Sequence, residues 1–470
     1  MADHRLRSTS LPEVFSARTV LNRASMVRLG AAAAALVVAL VAFPAVVTAL
    51  LTAFVALGYV ASTVDRTLLL LKGLRASEMV TISDVEALAV PDVELPIYTV
   101  LLPVYNEPSI VTNLLNGVGK LDYPAEKLEV LLLIEEDDPS TAQALIDTPP
   151  PPSVRVVEVP HSMPKTKPKA CNYGMSLEGV LGEYMTIYDA EDIPDPLQLR
   201  KAALALRAAP DDVGCLQARL GYFNERQNLL TRWFSLEYDQ WFGVVLPAVQ
   251  SSGGVVPLGG TSNHIKAAVW HEVGGWDQYN VTEDADLGVR LARYGYRTMI
   301  LDSITLEEAN SDVVNWIRQR SRWYKGYLQT MLVYLRDPVE LRKQIGTKAM
   351  LRLINMTGAI PLINVLNLVF WFVMLIWIVG RPDFVNMLFP PVSYYTCLGL
   401  LVIGAPLSVY VGLLVTQALG KPHLWWAALL APLYWILQSL AALKAIYQLI
   451  FRPFFWEKTV HGLSEQPRTP

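Results

Sequence analysis

Charge is what this chain has least of. Lys, Arg, Asp and Glu together make up 17% of the 470 residues, against 52% apolar residues. The mean hydropathy of +0.31 excludes an ordinary soluble enzyme. With 39 basic and 43 acidic residues and a formal net charge of -4, the chain lacks the polycationic surface that binding to nucleic acid demands. Cysteine is nearly absent. Cys171, Cys215 and Cys397 are too few and too far apart for a disulfide framework or a zinc site, which points to a reducing compartment. Internal repeats and low-complexity tracts are missing as well. The length leaves room for one enzyme-sized soluble domain beside a membrane part.

The apolar residues are concentrated at the two ends of the chain. Leu29 to Val64 is free of charge with Pro44 near its middle, long enough for a hairpin of two short membrane helices. Arg5, Arg7, Arg18, Arg23 and Arg28 precede it, and Arg66, Lys72 and Arg75 follow it, so the positive-inside bias puts both flanks in the cytoplasm. The long basic lead does not fit a cleaved signal peptide. Three further charge-free stretches, Leu353–Val379, Phe384–Gly420 and Leu424–Leu443, follow near the C-terminus. Three crossings there would leave the tail outside, whereas Arg452, Lys458 and Arg468 favour inside. Pro390, Pro391 and Pro406 leave room for a re-entrant piece or another crossing, and Leu424–Leu443 continues past Lys444 as an apolar helix of the kind that can lie in the interface.

Between these blocks the pattern turns to alternating strands and helices. Ile97–Val104, Leu128–Ile134, Val154–Val159 and Glu183–Tyr188 read as buried strands and Pro108–Gly119 as a helix, an α/β arrangement. In such sheets the ligand crevice lies beyond the carboxyl ends of the parallel strands. Three of the four strands deliver polar clusters there: Tyr105-Asn106-Glu107, Glu135-Glu136-Asp137-Asp138 and Asp189-Ala190-Glu191-Asp192. Taken singly, the first reads as a helix start with Asn as cap and Pro in the first turn, and the second as a solvated loop at a helix N-terminus. The third leaves a buried strand, where packed carboxylates repel one another unless a cation neutralises them. Oxygen ligands without histidine or cysteine favour Mg2+ or Mn2+ shared with phosphates. The basic run Lys165-Thr-Lys-Pro-Lys169-Ala-Cys-Asn172 supplies the positive charge a diphosphate requires, although a surface run explains it equally well in isolation.

In this order the motifs resemble those of the membrane-integrated family 2 glycosyltransferases, which include cellulose, chitin and hyaluronan synthases. Pro103-Val-Tyr-Asn-Glu107 is similar to that family's first nucleotide-binding loop, and Lys169-Ala-Cys-Asn172 to the element contacting the donor diphosphate. Asp189-Ala-Glu191 takes the place of the metal-binding Asp-x-Asp, with Glu191 or the adjacent Asp192 at the second position. Gly259-Gly-Thr-Ser-Asn263 resembles the loop beneath the acceptor, Thr282-Glu-Asp284 the Thr-Glu-Asp motif, and Gln319-Arg-Ser-Arg322-Trp323 the Gln-x-x-Arg-Trp motif. Agreement of several motifs in family order is improbable by chance.

The resemblance implies a GT-A-type, Rossmann-like cytoplasmic domain inserted between N-terminal and C-terminal transmembrane helices. It divides the chain into a basic N-terminus (1–28), a transmembrane hairpin (29–75), a glycosyltransferase domain (97–312), amphipathic interface helices (313–348), a C-terminal transmembrane region (349–451) and a tail (452–470). The implied activity is inverting transfer from a UDP- or GDP-sugar to a β-linked glycan at the membrane, with repeated addition favoured by the Gln-x-x-Arg-Trp motif. Transfer of a single sugar to a polyprenyl phosphate or other lipid is the alternative enzyme, and a non-catalytic nucleotide-binding scaffold or transporter the alternative of another class. Membrane lipids are the other implied partners.

By the same resemblance Asp284 is the general base, with Glu283 and Thr282 beside it. The donor site comprises Tyr105, Glu107, Glu135, Asp137, Lys169, Asn172, Asp189, Gln319 and Arg322. The acceptor rests on Gly260, Thr261 and Trp323, and the ion on Asp189 and Glu191. On residues alone, Thr282–Asp284 also reads as the capped start of a helix, and Trp323 as an interfacial anchor. Asn310–Leu335 alternates apolar residues with Arg318, Arg320, Arg322 and Lys325, the pattern of an amphipathic interface helix. Asn355, Asn364, Asn367, Gln417 and Gln438 either line a passage for a glycan or hydrogen-bond between helices. The tail segment Phe454–Gly462 resembles a gating segment over the donor site and is equally read as an interfacial anchor. As a gate it must be cytoplasmic.

Overall fold

The structure is a computed structural model that describes residues 11–75, 78–108, 117, 119–381, 383, 385, 389–455 and 457. Nearly all of the helix expected at Pro108–Gly119 and most of the tail from Trp456 onward lie outside these residues. One mixed sheet organises the soluble part. Its strands are β1 (Tyr98–Val104), β2 (Leu128–Glu135), β3 (Val154–Val159), β4 (Tyr184–Ile187), β5 (Ile193–Pro194), β6 (Val213–Tyr222), β7 (Asn263–Lys266) and β8 (Arg297–Glu307), in the order β3-β2-β1-β4-β7-β6-β8-β5. β1 runs parallel to both β2 and β4, pairing Tyr98 with Leu128 and with Tyr184, whereas β7 is antiparallel to its neighbours β4 and β6. The four strands expected from the sequence are β1 to β4.

The sequence of each strand reflects its place in the sheet. Val100, Leu101 and Leu102 of β1 and Leu131 to Leu133 of β2 are unbroken apolar runs because both faces are covered. Leu101, Leu131 and Leu133 pack on Cys171, Met175, Trp270 and Leu287, while Leu102, Val130 and Leu132 pack on Leu199 and Ala202 from the opposite side. Cys171 and Cys215 are fully buried and serve as small apolar core residues. β3, at the sheet edge, exposes Arg155 and Glu158.

Among the described residues, five helices are long and apolar enough to cross a membrane: Ala17–Ala42, Pro44–Arg75, Thr347–Gly380, Pro391–Ala418 and Ala431–Phe451. Pro44 opens the second helix right after Phe43, where its missing N–H costs nothing. Pro361 and Pro406 stand inside helices, each two residues after a widened π turn, Asn355–Ala359 and Leu400–Gly404. An interior proline ring collides with the preceding turn of an α-helix, and a widened turn relieves that collision. Pro391–Ala418 therefore runs through as one long helix, without the re-entrant break that its prolines allowed.

The helix expected at Asn310–Leu335 spans Val313–Tyr334, and other helices cover much of the face that carries its charges. The helix Ala431–Phe451 packs along it, and the helix Leu229–Gln240 lies against its Arg320. Arg320 is buried in an ion pair with Glu237, its guanidinium 4.7 Å from the Trp323 ring. Lys325 is wholly buried and donates to the carbonyl of Phe455 at 2.5 Å. Covered on two sides, this helix has little wet face on which to display its charges.

Candidate active site

The carboxyl ends of β1, β2 and β4 open into one cavity of about 1420 Å³. Tyr105 and Glu107 follow β1, Glu135 ends β2, and Asp189 and Glu191 follow β4, all on the cavity wall. The Tyr105 ring lies under the Lys165 ammonium at 5.0 Å. Asn106 takes a left-handed φ of 53°, a conformation Asn tolerates better than most residues. Its N–H is held by Asp138, which also caps the helix Pro139–Asp147.

The acidic and basic groups pair in a register the sequence did not reveal. Lys167, at the first turn of the helix Lys167–Met175, donates to Asp189 and, at 2.8 Å, to the carbonyl of Gly260. Lys169 lies two positions further along that turn and points elsewhere, into a buried ion pair with Glu135 at 2.7 Å and a bond to the carbonyl of Pro160 at 3.0 Å. It is absent from the cavity wall, whereas Lys165 and Lys167 are on it. Asn172 is also absent, because both polar atoms of its side chain clamp the backbone of Trp276, at 2.8 and 3.0 Å. Asp137 stands off the wall as well, paired with Lys165 and, at 3.5 Å, with His161. Lys167 could have been found from Pro168, which marks a helix start and so puts residue 167 at its mouth.

Between the two possible second carboxylates, Glu191 faces the cavity and Asp192 does not. Asp192 is buried under its own turn, accepting the Asp189 N–H at 2.8 Å and the Thr261 hydroxyl. Burial and then the charge of Asp189 push its carboxyl well above the usual range. Glu307, the last residue of β8, adds another carboxylate to the wall. No local motif announces it, since only the pairing of β8 with β5 brings it near the Asp189–Asp192 turn. Among the described residues no group of three or more His, Cys, Asp and Glu side chains is gathered closely enough to hold a metal ion.

Thr282, Glu283 and Asp284 line the cavity at the start of the helix Glu283–Arg293. Thr282 makes no side-chain cap here, so the helix-cap reading of this motif fails for the threonine. Asp284 lies across from the Gly259–Asn263 loop, its Oδ2 3.6 Å from where a Cβ on Gly260 would stand. Burial raises both carboxyls, Asp284 to about 6 and Glu283 to about 8, the latter also through the charge of Asp284. The close approach of Gly326 to Thr282, which any side chain at 326 would prevent, locks this motif onto the helix Val313–Tyr334. From that helix Gln319, Arg322 and Trp323 complete the wall, as do Gly260 and Thr261 from the Gly259–Asn263 loop. The Trp323 ring stacks on Tyr238 at 6.0 Å.

The same cavity continues between the membrane helices. Asn355, Asn364, Asn367 and Gln438 line it, as do Trp371 and Trp377, whereas Gln417 does not. The wall's polar groups also bond to one another, Asn364 to the Tyr324 hydroxyl at 3.1 Å and Tyr59 to Asn367 at 2.5 Å. Asn355, Asn364, Asn367 and Gln438 thus both line the cavity and hydrogen-bond to neighbouring elements.

Comparison with known proteins sets this site in a family. The chain is 25% identical over 266 residues to the probable glycosyltransferase YdaM of Bacillus subtilis, a match spanning 53% of this chain and 60% of that protein. It is 28% identical over 239 residues to the probable glucomannan 4-beta-mannosyltransferase 7 of Oryza sativa subsp. japonica (50% and 41%). To the beta-monoglucosyldiacylglycerol synthase of Trichormus variabilis it is 25% identical over 260 residues (54% and 53%). The chain thus spans about half the length of these relatives. Among solved structures, mannosyltransferase PcManGT from Pyrobaculum calidifontis, in complex with GDP-Man and Mn2+, superposes with a TM-score of 0.51 at 19% identity, over 85% of this chain and 99% of that one. This likeness supports the GT-A-type fold. The family model described as "Glycosyl transferase family group 2" matches residues 184–454, more than half of the chain, and this protein belongs to that family: it is a family 2 glycosyltransferase.

Proposed function

We propose that the protein transfers a sugar, with inversion, from a UDP- or GDP-sugar to the hydroxyl of a β-linked glycan resting on Trp323, and feeds the product toward the membrane. The observation that carries this reading is the single cavity reaching from Asp189 and Asp284 to Asn364, Asn367 and Trp371 among the membrane helices. Aromatic faces stack on sugar rings and amides bond their hydroxyls, so such a wall suits a glycan.

The chemistry divides among the residues on the wall. The acceptor oxygen bonds to the anomeric carbon as the bond to the diphosphate breaks, and the electron pair leaves with the diphosphate. Asp284 takes the acceptor's proton, a task suited to a carboxyl raised toward neutrality. Lys167 and Arg322 offset charge growing on the leaving group. Asp189 and Glu191, both on the cavity wall, are oxygen donors of the kind that bind Mg2+ or Mn2+ together with phosphates. Bound there, it would add positive charge to the leaving diphosphate.

The orientation we infer puts the catalytic domain on the cytoplasmic face, from the arginines and lysines flanking the membrane blocks. Lys421 pairs with Glu225 at 2.8 Å and with Asp239 at 3.0 Å, so the chain is back at the soluble domain after Pro391–Ala418. The last apolar helix then touches that domain at both ends: Tyr434 bonds Glu237 at 2.6 Å, and Gln329 bonds the carbonyl of Pro453 at 2.9 Å. A crossing helix would separate its ends by the bilayer thickness. Ala431–Phe451 therefore lies along the interface, with Leu433, Ile436, Leu440, Leu443, Tyr447 and Ile450 exposed on one stripe toward lipid, and its end at Pro453 and Phe455 stays on the domain's side.

A lipid acceptor is the second reading. It is favoured by Phe370, Met374 and Ile378, which make part of the same wall apolar. Incubating purified protein with labelled UDP- and GDP-sugars and sizing the products tests both. A ladder of increasing length is expected, a single-sugar lipid product would select the second reading, and no incorporation from any donor would overturn the proposal.

A further inference from the structure

The segment just ahead of the first membrane helix lies on the catalytic domain. Arg336, two residues past the helix Val313–Tyr334, donates to the carbonyls of Glu13 at 3.1 Å, Val14 at 3.4 Å, Ser16 at 3.0 Å and Val20 at 3.4 Å, and also to that of Thr19. Phe15 sits beside Tyr294 and Tyr334, ring centroids 6.1 and 6.4 Å apart, with the Arg293 guanidinium 4.7 Å from its own ring. Leu11 reaches Gly274. The remaining anchor is Asp277, 2% exposed, whose carboxylate accepts the Ser16 hydroxyl at 3.2 Å, the Ala17 N–H at 2.5 Å and the Tyr279 N–H at 3.1 Å.

The loop that carries Asp277 holds both halves of the active site. On the donor side, the carbonyl of Gln278 accepts the hydroxyl of Thr166, the residue before Lys167, at 3.1 Å. On the other side, Asn280 accepts the N–H of Thr282 at 3.1 Å, just ahead of Glu283 and Asp284, and its own N–H bonds the carbonyl of Asp277 at 3.2 Å. Gly275 turns the loop at a φ of 70°, where a Cβ would strike Trp270 and Asn172. Two of the three donors to the Asp277 carboxylate come from the arm. Without them a buried carboxylate is left short of partners, a costly state that the loop must move to relieve.

We propose that this arm is a working part of the active site: Ser16 and Ala17, through the positioning residue Asp277, hold the loop that sets Lys167 and Asp284, so that docking of the pre-membrane segment controls donor affinity. The inference rests on the assignment of Lys167 and Asp284 made above.

The test compares purified full-length protein with three variants. Arg336→Ala releases the arm without touching the loop, Asp277→Ala removes the anchor, and Asp277→Asn retains an acceptor oxygen. Hydrogen exchange over residues 276–284 and the donor KM are measured. Arg336→Ala and Asp277→Ala are expected to speed loop exchange and raise donor KM about tenfold, with a smaller change in kcat, and Asp277→Asn to fall between them and wild type. Unchanged loop exchange and unchanged KM in Arg336→Ala, or a loss of turnover that only tracks the folded fraction, would overturn the proposal. If wild-type protein transfers no sugar from any donor, the functional assignment fails by itself. Exchange in Arg336→Ala then still decides whether the arm holds the loop: faster exchange supports that part, unchanged exchange overturns it.

Discussion

Lys167 joins Asp189 to the carbonyl of Gly260, bridging the end of β4 and the Gly259–Asn263 loop, while Lys169, two residues on, is buried against Glu135. Two lysines of one basic run thus do different work. Lys167→Met is expected to lower transfer by about 10²–10³-fold with little change in thermal stability, as loss of a charge facing the leaving group would. Lys169→Met strands a buried carboxylate and is expected to cost about 3–5 kcal/mol of stability. Turnover and thermal unfolding of the two variants separate these roles, and equal effects of both on turnover per folded molecule would contradict the assignment.

Asp284→Asn keeps the size of the side chain and removes its basicity. Donor binding, measured by titration calorimetry, is expected to survive, while kcat falls by roughly 10²–10⁴-fold. Near-normal turnover would remove Asp284 from the role of base.

The same residue sets a pH dependence. Because burial raises Asp284 to about 6, the carboxyl is protonated and unable to accept a proton below that value, and is a competent base above it. Transfer under kcat/KM conditions should therefore rise as pH increases through about 6. A profile flat between pH 5 and 7 would place the base elsewhere.

Asp189 and Glu191 are expected to work only with a divalent ion. EDTA should stop transfer, and Mg2+ or Mn2+ should restore it. Undiminished activity in metal-free buffer would refute this assignment.

Topology can be read by labelling. In a Cys397→Ala background, where Cys171 and Cys215 are buried, Asp383→Cys and Ser464→Cys should react with a membrane-impermeant maleimide from opposite sides of sealed vesicles. Labelling from the same side would mean that Ala431–Phe451 crosses the membrane.

Much of the fold was legible in the sequence because burial on both faces of a parallel sheet leaves unbroken apolar runs, as in β1 and β2. The membrane helices were legible for a similar reason, their length and lack of charge. The inward turn of Arg320 and Lys325 was not, since periodicity says which residues share a helix face but not what covers that face. β5 to β8 announced themselves poorly: β5 has two residues, and β7 enters the sheet antiparallel between strands far from it in sequence.

Local chemistry, written in order along the chain, determined by itself that an α/β domain with an acidic, phosphate-type site lies between apolar helices, and the resemblance of its ordered motifs added the transferase, because strand ends, acidic clusters and helix starts are properties of short segments. Only the tertiary structure decided that Lys167 rather than Lys169 meets Asp189, that Glu191 rather than Asp192 faces the cavity, and that the N-terminal arm reaches the loop before Thr282. Each of these depends on where a side chain leaves its helix or strand relative to a partner distant in sequence, and no spacing along one segment encodes that direction.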